Sequence, residues 1–237
     1  MKFLLPGLLL ALLAGCTGDK QQQAEIAQLR AELEQVKSLQ TTIARRVGMG
    51  ELVRPDAIEF HEGEKVGSED AALVIVEFTD LHCPFCARFH NEVYPQLKEQ
   101  FIDTGKVLFV GRELPLLSIH QQAGFAAVAL RCASAQQQYS AAKDSLFNSS
   151  KGFTAEYMEQ LPVALGVDAE QFNTCLQDAA VHQTVSKSIS YAQELGFKST
   201  PTFIVGRKQG NTVVDYTVLT GAKDLAAFTS VFDSLTQ

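Results

Sequence analysis

The feature that most constrains this chain lies between residues 73 and 101. Leu73-Val74-Ile75-Val76-Glu77-Phe78 is a short apolar run rich in β-branched residues and reads as a buried strand. Thr79-Asp80-Leu81-His82 leads out of it, Cys83-Pro84-Phe85-Cys86 follows, and a helical stretch with apolar Phe85, Phe89, Val93 and Leu97 runs to about Phe101. That order puts Cys83 at a helix N-cap and Pro84 at the first helical position, where a missing N–H is tolerated. Free backbone N–H groups and the helix dipole stabilise a thiolate there, and can lower a thiol from about 8.5 into the range of about 3.5–7.5. Cys86 lies one turn deeper and within disulfide reach, so the pair reads as an exposed attacking sulfur and a resolving sulfur. A purely structural disulfide across two residues closes too small a loop to gain much stability. Half of a zinc site is a second plain reading, but His82 and His90 have no second CxxC or HxxxH pair to complete four ligands; chance spacing is a third, against which stand the strand before and the helix after. No metal or other cofactor is expected; the redox group is the Cys83–Cys86 pair itself.

The chain holds five cysteines, an odd number. Lys2, the apolar run Phe3 to Leu13 and the small residues Ala14-Gly15 form a signal-peptide pattern over residues 1–15, too short and too interrupted by Pro6-Gly7 to span a membrane. Leu13-Ala14-Gly15-Cys16 resembles the bacterial lipobox, which implies lipidation of Cys16 and anchoring to a membrane without spanning it. The formal net charge of −7, with no basic stripe, excludes a nucleic-acid partner.

Residues 16–50 form the linker and helical segment. Residues 19–47 contain neither Pro nor Gly. Ile26, Leu33, Gln40 and Val47 recur every seven residues, with Leu29, Val36 and Ile43 between them, the a/d seam of a coiled coil. The alternatives are a homo-oligomer, dimer or trimer, through residues 20–47, a single helix packed on the body, or a solvated stalk. Gly48, Gly50 and Arg54-Pro55 end the segment.

Beyond the CPFC helix, Lys106 to Val110 reads as a strand that Gly111 to Pro115 leaves. Residues 118–196 are helical in pattern: an Ala-rich helix over 123–135 that continues to Phe147, a capping box at Asp168-Ala169-Glu170-Gln171, and a stripe of Val181, Val185, Ile189 and Ala192. Strands at Thr202–Val205 and Thr212–Leu219 pair as a hairpin across Lys208-Gln209-Gly210-Asn211, and a last helix starts at Lys223.

Val76 to Cys86, taken with Ser199-Thr200-Pro201-Thr202-Phe203, resembles the DsbA-like branch of the thioredoxin superfamily over about residues 57–237. The resemblance implies an α/β thioredoxin-like fold in two halves, 57–117 and 197–237, with an inserted helical domain at 118–196. It makes Thr200-Pro201 a cis-proline loop facing the CPFC pair and binding client together with His82, Pro84 and Phe85. It makes Glu77 a buried acid serving Cys86, against the plainer reading of a Glu in a polar cleft; its basic partner is not assigned, Arg112 being a guess. Cys132 and Cys175 either pair as a structural disulfide, as in some members of the family, or stay as two buried thiols. His61, His120 and His182 have no partners at catalytic spacing and read as surface or loop residues.

The expected protein is an extracytoplasmic thiol-disulfide oxidoreductase of a bacterial cell envelope, on the periplasmic side and lipid-anchored. It would give disulfides to exported cysteine-containing proteins and be re-oxidised by a membrane redox partner. The rivals are a dimeric isomerase or reductase with the same site, a lipoprotein with a retired head, and a metallochaperone.

Overall fold

The run at residues 73–78 is the central strand of a six-stranded sheet in the computed structural model, which describes residues 15–60, 62–149 and 152–236. The chain divides into two units, Met1–Val53 and Arg54–Gln237. The first holds helix α1, Gly15–Arg46, along which Ile26, Leu29, Leu33, Val36 and Ile43 are exposed. Residues 1–14 and the Cys16 side chain lie outside what is described, and so do the signal-peptide and lipidation readings.

In the second unit the strands are β1 (Ile58–Glu59), β2 (Glu64–Val66), β3 (Leu73–Thr79), β4 (Val107–Glu113), β5 (Thr202–Gln209) and β6 (Thr212–Thr220), in the order β1-β6-β5-β3-β4-β2. β3 and β4 are parallel, with Glu77 opposite Gly111; β5 runs antiparallel to β3 on its other side. β3 is buried along its whole length, which is why it reads as a continuous apolar run rather than an alternating one. Its two faces still differ. Val74, Val76 and Phe78 pack with Ala192, Leu195 and Phe197 around helix α8 (Ala179–Glu194). Leu73 and Ile75 pack with Phe89, Leu97 and the last helix, α9 (Leu225–Thr236). Period-two alternation puts Glu77 and Thr79 on this second face.

The helical stretch after the CPFC motif is α2 (Pro84–Arg88), a π turn (Phe89–Val93), α3 (Tyr94–Leu97) and a second π turn (Lys98–Ile102). Pro95 gives a reason for the first: its ring clashes with the carbonyl four residues back, and a wider turn relieves that clash.

Helices α4 (Ala123–Ser134), α5 (Tyr139–Phe147), α6 (Ala155–Leu165), α7 (Ala169–Leu176) and α8 follow one another in the chain between β4 and β5. One expectation fails here. The helix from 123 does not continue to Phe147; it stops at Ser134 and restarts at Tyr139, with Gln137 at φ 64 between them. A second does too: β4 does not end at Val110 but runs to Glu113, because Gly111, Arg112 and Glu113 keep pairing with β3. Of the expected capping box only the N-cap half is present: the Asp168 carboxylate accepts from Gln171 N–H at 2.9 Å, while Asp168 N–H donates to the Gln136 side-chain oxygen at 2.8 Å and not to Gln171. Arg131 of α4 ties this block to the sheet, donating to Glu113 at 2.7 Å and Glu64 at 3.0 Å.

Cys132 and Cys175 are bonded, joining α4 to α7 inside the core of the helical block. The loop-closure relation applied to their sequence separation of 43 gives a gain of about 4 kcal/mol. The Cys132→Ala/Cys175→Ala chain should therefore show a lower urea midpoint and a somewhat steeper slope, because the freed unfolded chain exposes more surface. An unchanged midpoint would remove the disulfide from the account of stability.

Candidate active site

The N-cap position predicted for Cys83 is the one it occupies. Its backbone is extended, at φ −80 and ψ 123, Pro84 opens α2, and Ala87 N–H reaches the Cys83 carbonyl at 3.0 Å. Cys83 and Cys86 are free thiols and both are buried, so the attacking sulfur is not exposed as expected: with the Thr200 carbonyl against its sulfur, Cys83 is 5% exposed. The Cys83 thiol is pushed down to about 5: chiefly the Cys86 S–H donates to its sulfur, with help from Thr200 and the backbone N–H groups of Cys86 and Phe85, against the opposing effect of burial. Cys86 is pushed strongly the other way, first by burial, then by the hydrogen bond its S–H donates to Cys83 and by the charge on that sulfur. Asp80 N–H, 3.5 Å from Cys86 Sγ, and the Thr79 side chain work against that rise. The two sulfurs are thus unlike: one takes the anion, the other holds the proton.

The loop before β5 brings up Thr200 and Pro201, joined by a cis peptide. The Thr200 carbonyl lies 3.5 Å from Cys83 Sγ, so 117 residues of sequence separation close onto the attacking atom. Around it Pro84 and Phe85 are exposed, Phe85 by 53%, with the Arg88 guanidinium over its ring. His82 is exposed too, its ring 5.4 Å from that of His120 and 5.5 Å from Phe153.

Glu77 sits two residues from Thr79 on the same strand face and is fully buried. Its basic partner is Lys143 of α5, not Arg112: Lys143 Nζ lies 2.6 Å from Glu77 Oε2. Arg112 points to the other face of the sheet, over the rings of Phe78 and Tyr191 and 3.8 Å from Glu62. Lys143 is 2% exposed, ringed by Phe109, Tyr94 and Tyr139 at 5.1, 5.5 and 5.7 Å. Gly111 makes this approach possible. The Tyr139 hydroxyl occupies the space a Cβ there would need, so a glycine opposite Glu77 lets α5 close on the strand. A signal was available in the sequence: Tyr139, Ala142, Lys143, Leu146 and Phe147 form one helical stripe, so the lysine falls on the face that should be buried.

The histidine reading also needs correction. His120 has a close partner, its Nδ1 lying 2.8 Å from Asp80 Oδ2 beside the CPFC turn. His182 Nε2 lies 2.9 Å from the Leu176 carbonyl, and His61 is outside the described residues.

A sequence model described as Thioredoxin matches residues 61–222. The crystal structure of α-DsbA1 from Wolbachia pipientis superposes with a TM-score of 0.65 at 26% identity, covering 78% of this chain and 94% of that one. The chain is a DsbA-like member of the thioredoxin family. It is 29% identical over 162 residues, 64% of its length and 73% of the relative's, to the Bacillus anthracis protein named "Probable disulfide bond formation protein D". The structure of oxidised BdbD from Bacillus subtilis shares the fold, with a TM-score of 0.60 at 21% identity, 77% and 97% of the two chains being covered. This DsbA-like chain is a thiol-disulfide oxidoreductase with a helical block inserted in a thioredoxin-like sheet.

Proposed function

We propose that this oxidoreductase introduces disulfide bonds into exported proteins through Cys83 and Cys86. The observation that carries the reading is the contrast between the sulfurs, with Cys83 pushed down to about 5 and Cys86 pushed up. A stabilised thiolate stabilises the dithiol form, and a stabilised dithiol makes its disulfide a stronger oxidant. A client thiolate attacks Cys83 Sγ, the Cys83–Cys86 bond breaks, and Cys86 leaves with the electron pair and takes up a proton. A second client cysteine then attacks the mixed disulfide and releases Cys83 as thiolate. Two electrons pass to the enzyme, and a membrane redox partner removes them. Thr200 supports the client strand through its backbone beside Cys83, with Pro201, Pro84, Phe85 and His82 around it, and Glu77 handles a proton for Cys86.

Cys16 as a lipid anchor would hold the head on the periplasmic face of an envelope membrane; no helix among the described residues is long and apolar enough to cross one. The exposed seam of α1 supports self-association and favours a second reading, a dimeric isomerase whose two heads share one client.

The test uses the purified chain in both redox states. The oxidised form should convert a reduced, unfolded multi-cysteine substrate to its disulfide form, one bond per chain. If instead only the reduced form is active, unscrambling a wrongly paired substrate, the isomerase reading replaces this one.

A further inference from the structure

Asp80 touches both cysteines through its backbone. Its N–H points at Cys86 Sγ at 3.5 Å, and its carbonyl accepts from Cys83 N–H at 3.0 Å. Its side chain, fully buried, accepts from His82 N–H at 2.7 Å and from Leu116 N–H at 2.8 Å, and lies 2.8 Å from His120 Nδ1. Of these three partners only the imidazole can carry a charge. It comes from beyond β4, 40 residues away, and stacks on His82, the residue before Cys83. A buried carboxylate without a counter-charge opposes any anion that forms next to it.

We propose that His120 is an electrostatic positioning residue for the exchange reaction: as imidazolium it neutralises Asp80, so that sulfur anions form beside a neutral pair instead of beside a bare carboxylate. This rests on exchange through Cys83 and Cys86. Among the described residues, the His82 ring stacks on His120 at 5.4 Å, and both cysteines bond to the Asp80 backbone. Neither Asp80 nor His120 gives up a proton in the step. The client sulfur bonds to Cys83 Sγ, the Cys83–Cys86 bond breaks, and Asp80 N–H meets the departing Cys86 sulfur.

Charge makes the two partners behave oppositely, which a purely structural role does not. In the full chain, His120→Ala should move the dithiol–disulfide equilibrium about tenfold toward a weaker oxidant, equal to about 30 mV for two electrons. Asp80→Asn, which removes the negative charge, should move it the other way. Asp80→Asn/His120→Ala should return toward the parent, because neither an orphaned carboxylate nor an unpaired imidazolium remains. His120→Gln keeps a donor without charge and should behave like His120→Ala. His182→Ala should track the parent. The potential is read from equilibrium with glutathione and needs no client turnover, so this test stands apart from the refolding assay. Shifts of the same sign in His120→Ala and Asp80→Asn, no shift in His120→Ala, or a parent-like potential in His120→Gln would overturn the proposal.

Discussion

Alanine at Cys83 should reduce disulfide transfer to the uncatalysed background. Alanine at Cys86 removes the bond a client thiolate attacks and should stop transfer too, but offered a client in its disulfide form, its Cys83 thiolate should attack one client sulfur, expel the other as thiolate and stay as the mixed disulfide. The two cysteines are not interchangeable, since Cys83 is the sulfur placed against the Thr200 carbonyl and pushed down to about 5. In the reduced parent, alkylation of Cys83 should rise with pH through a midpoint of about 5. The leading cause of that low value is the Cys86 S–H, so Cys86→Ala should move the midpoint upward. The sign for stability follows. A thiol depressed in the folded chain contributes stability to the dithiol form that is complete above its unfolded value of about 8.5, and is lost as the pH falls through about 5. A client adduct on Cys86 in a Cys83→Ala chain would reverse the assignment of the attacking sulfur.

The second large effect should come from Glu77 and Lys143. Both are buried, 2.6 Å apart, and removing either strands the other away from water. Lys143→Met should cost about 3–5 kcal/mol, a fall in melting temperature of about 6–20 °C for a domain of this size. Glu77→Leu/Lys143→Met should be less destabilised than either single variant, because no uncompensated charge remains. Losses that simply add would contradict the pairing. With the fold retained in the double variant, the proton role proposed for Glu77 predicts slower release of Cys86; an unchanged rate would leave the pair to structure alone.

What could be read in advance follows the range of the forces involved. The strand–CPFC–helix is local: the apolar run, the cysteine at the cap and Pro84 at the first helical position lie within a few residues of each other. Glu77 was visible as an acid on an apolar strand, but its partner was not, because Lys143 arrives from 66 residues away through a gap left by Gly111. The same limit hid the Asp80–His120 contact. The break at 135–138 was missed for a different reason: the turn there uses Gln137 in the left-handed region, and no Gly or Pro marks it.

The measurement that bears most directly on the central claim is the reduction potential of the Cys83–Cys86 couple, obtained by equilibrating the purified chain with glutathione. A disulfide donor with a thiolate held at about 5 should poise near the about −120 mV of strongly oxidising proteins. A value well below about −200 mV would contradict that claim and make the protein a reductant or an isomerase.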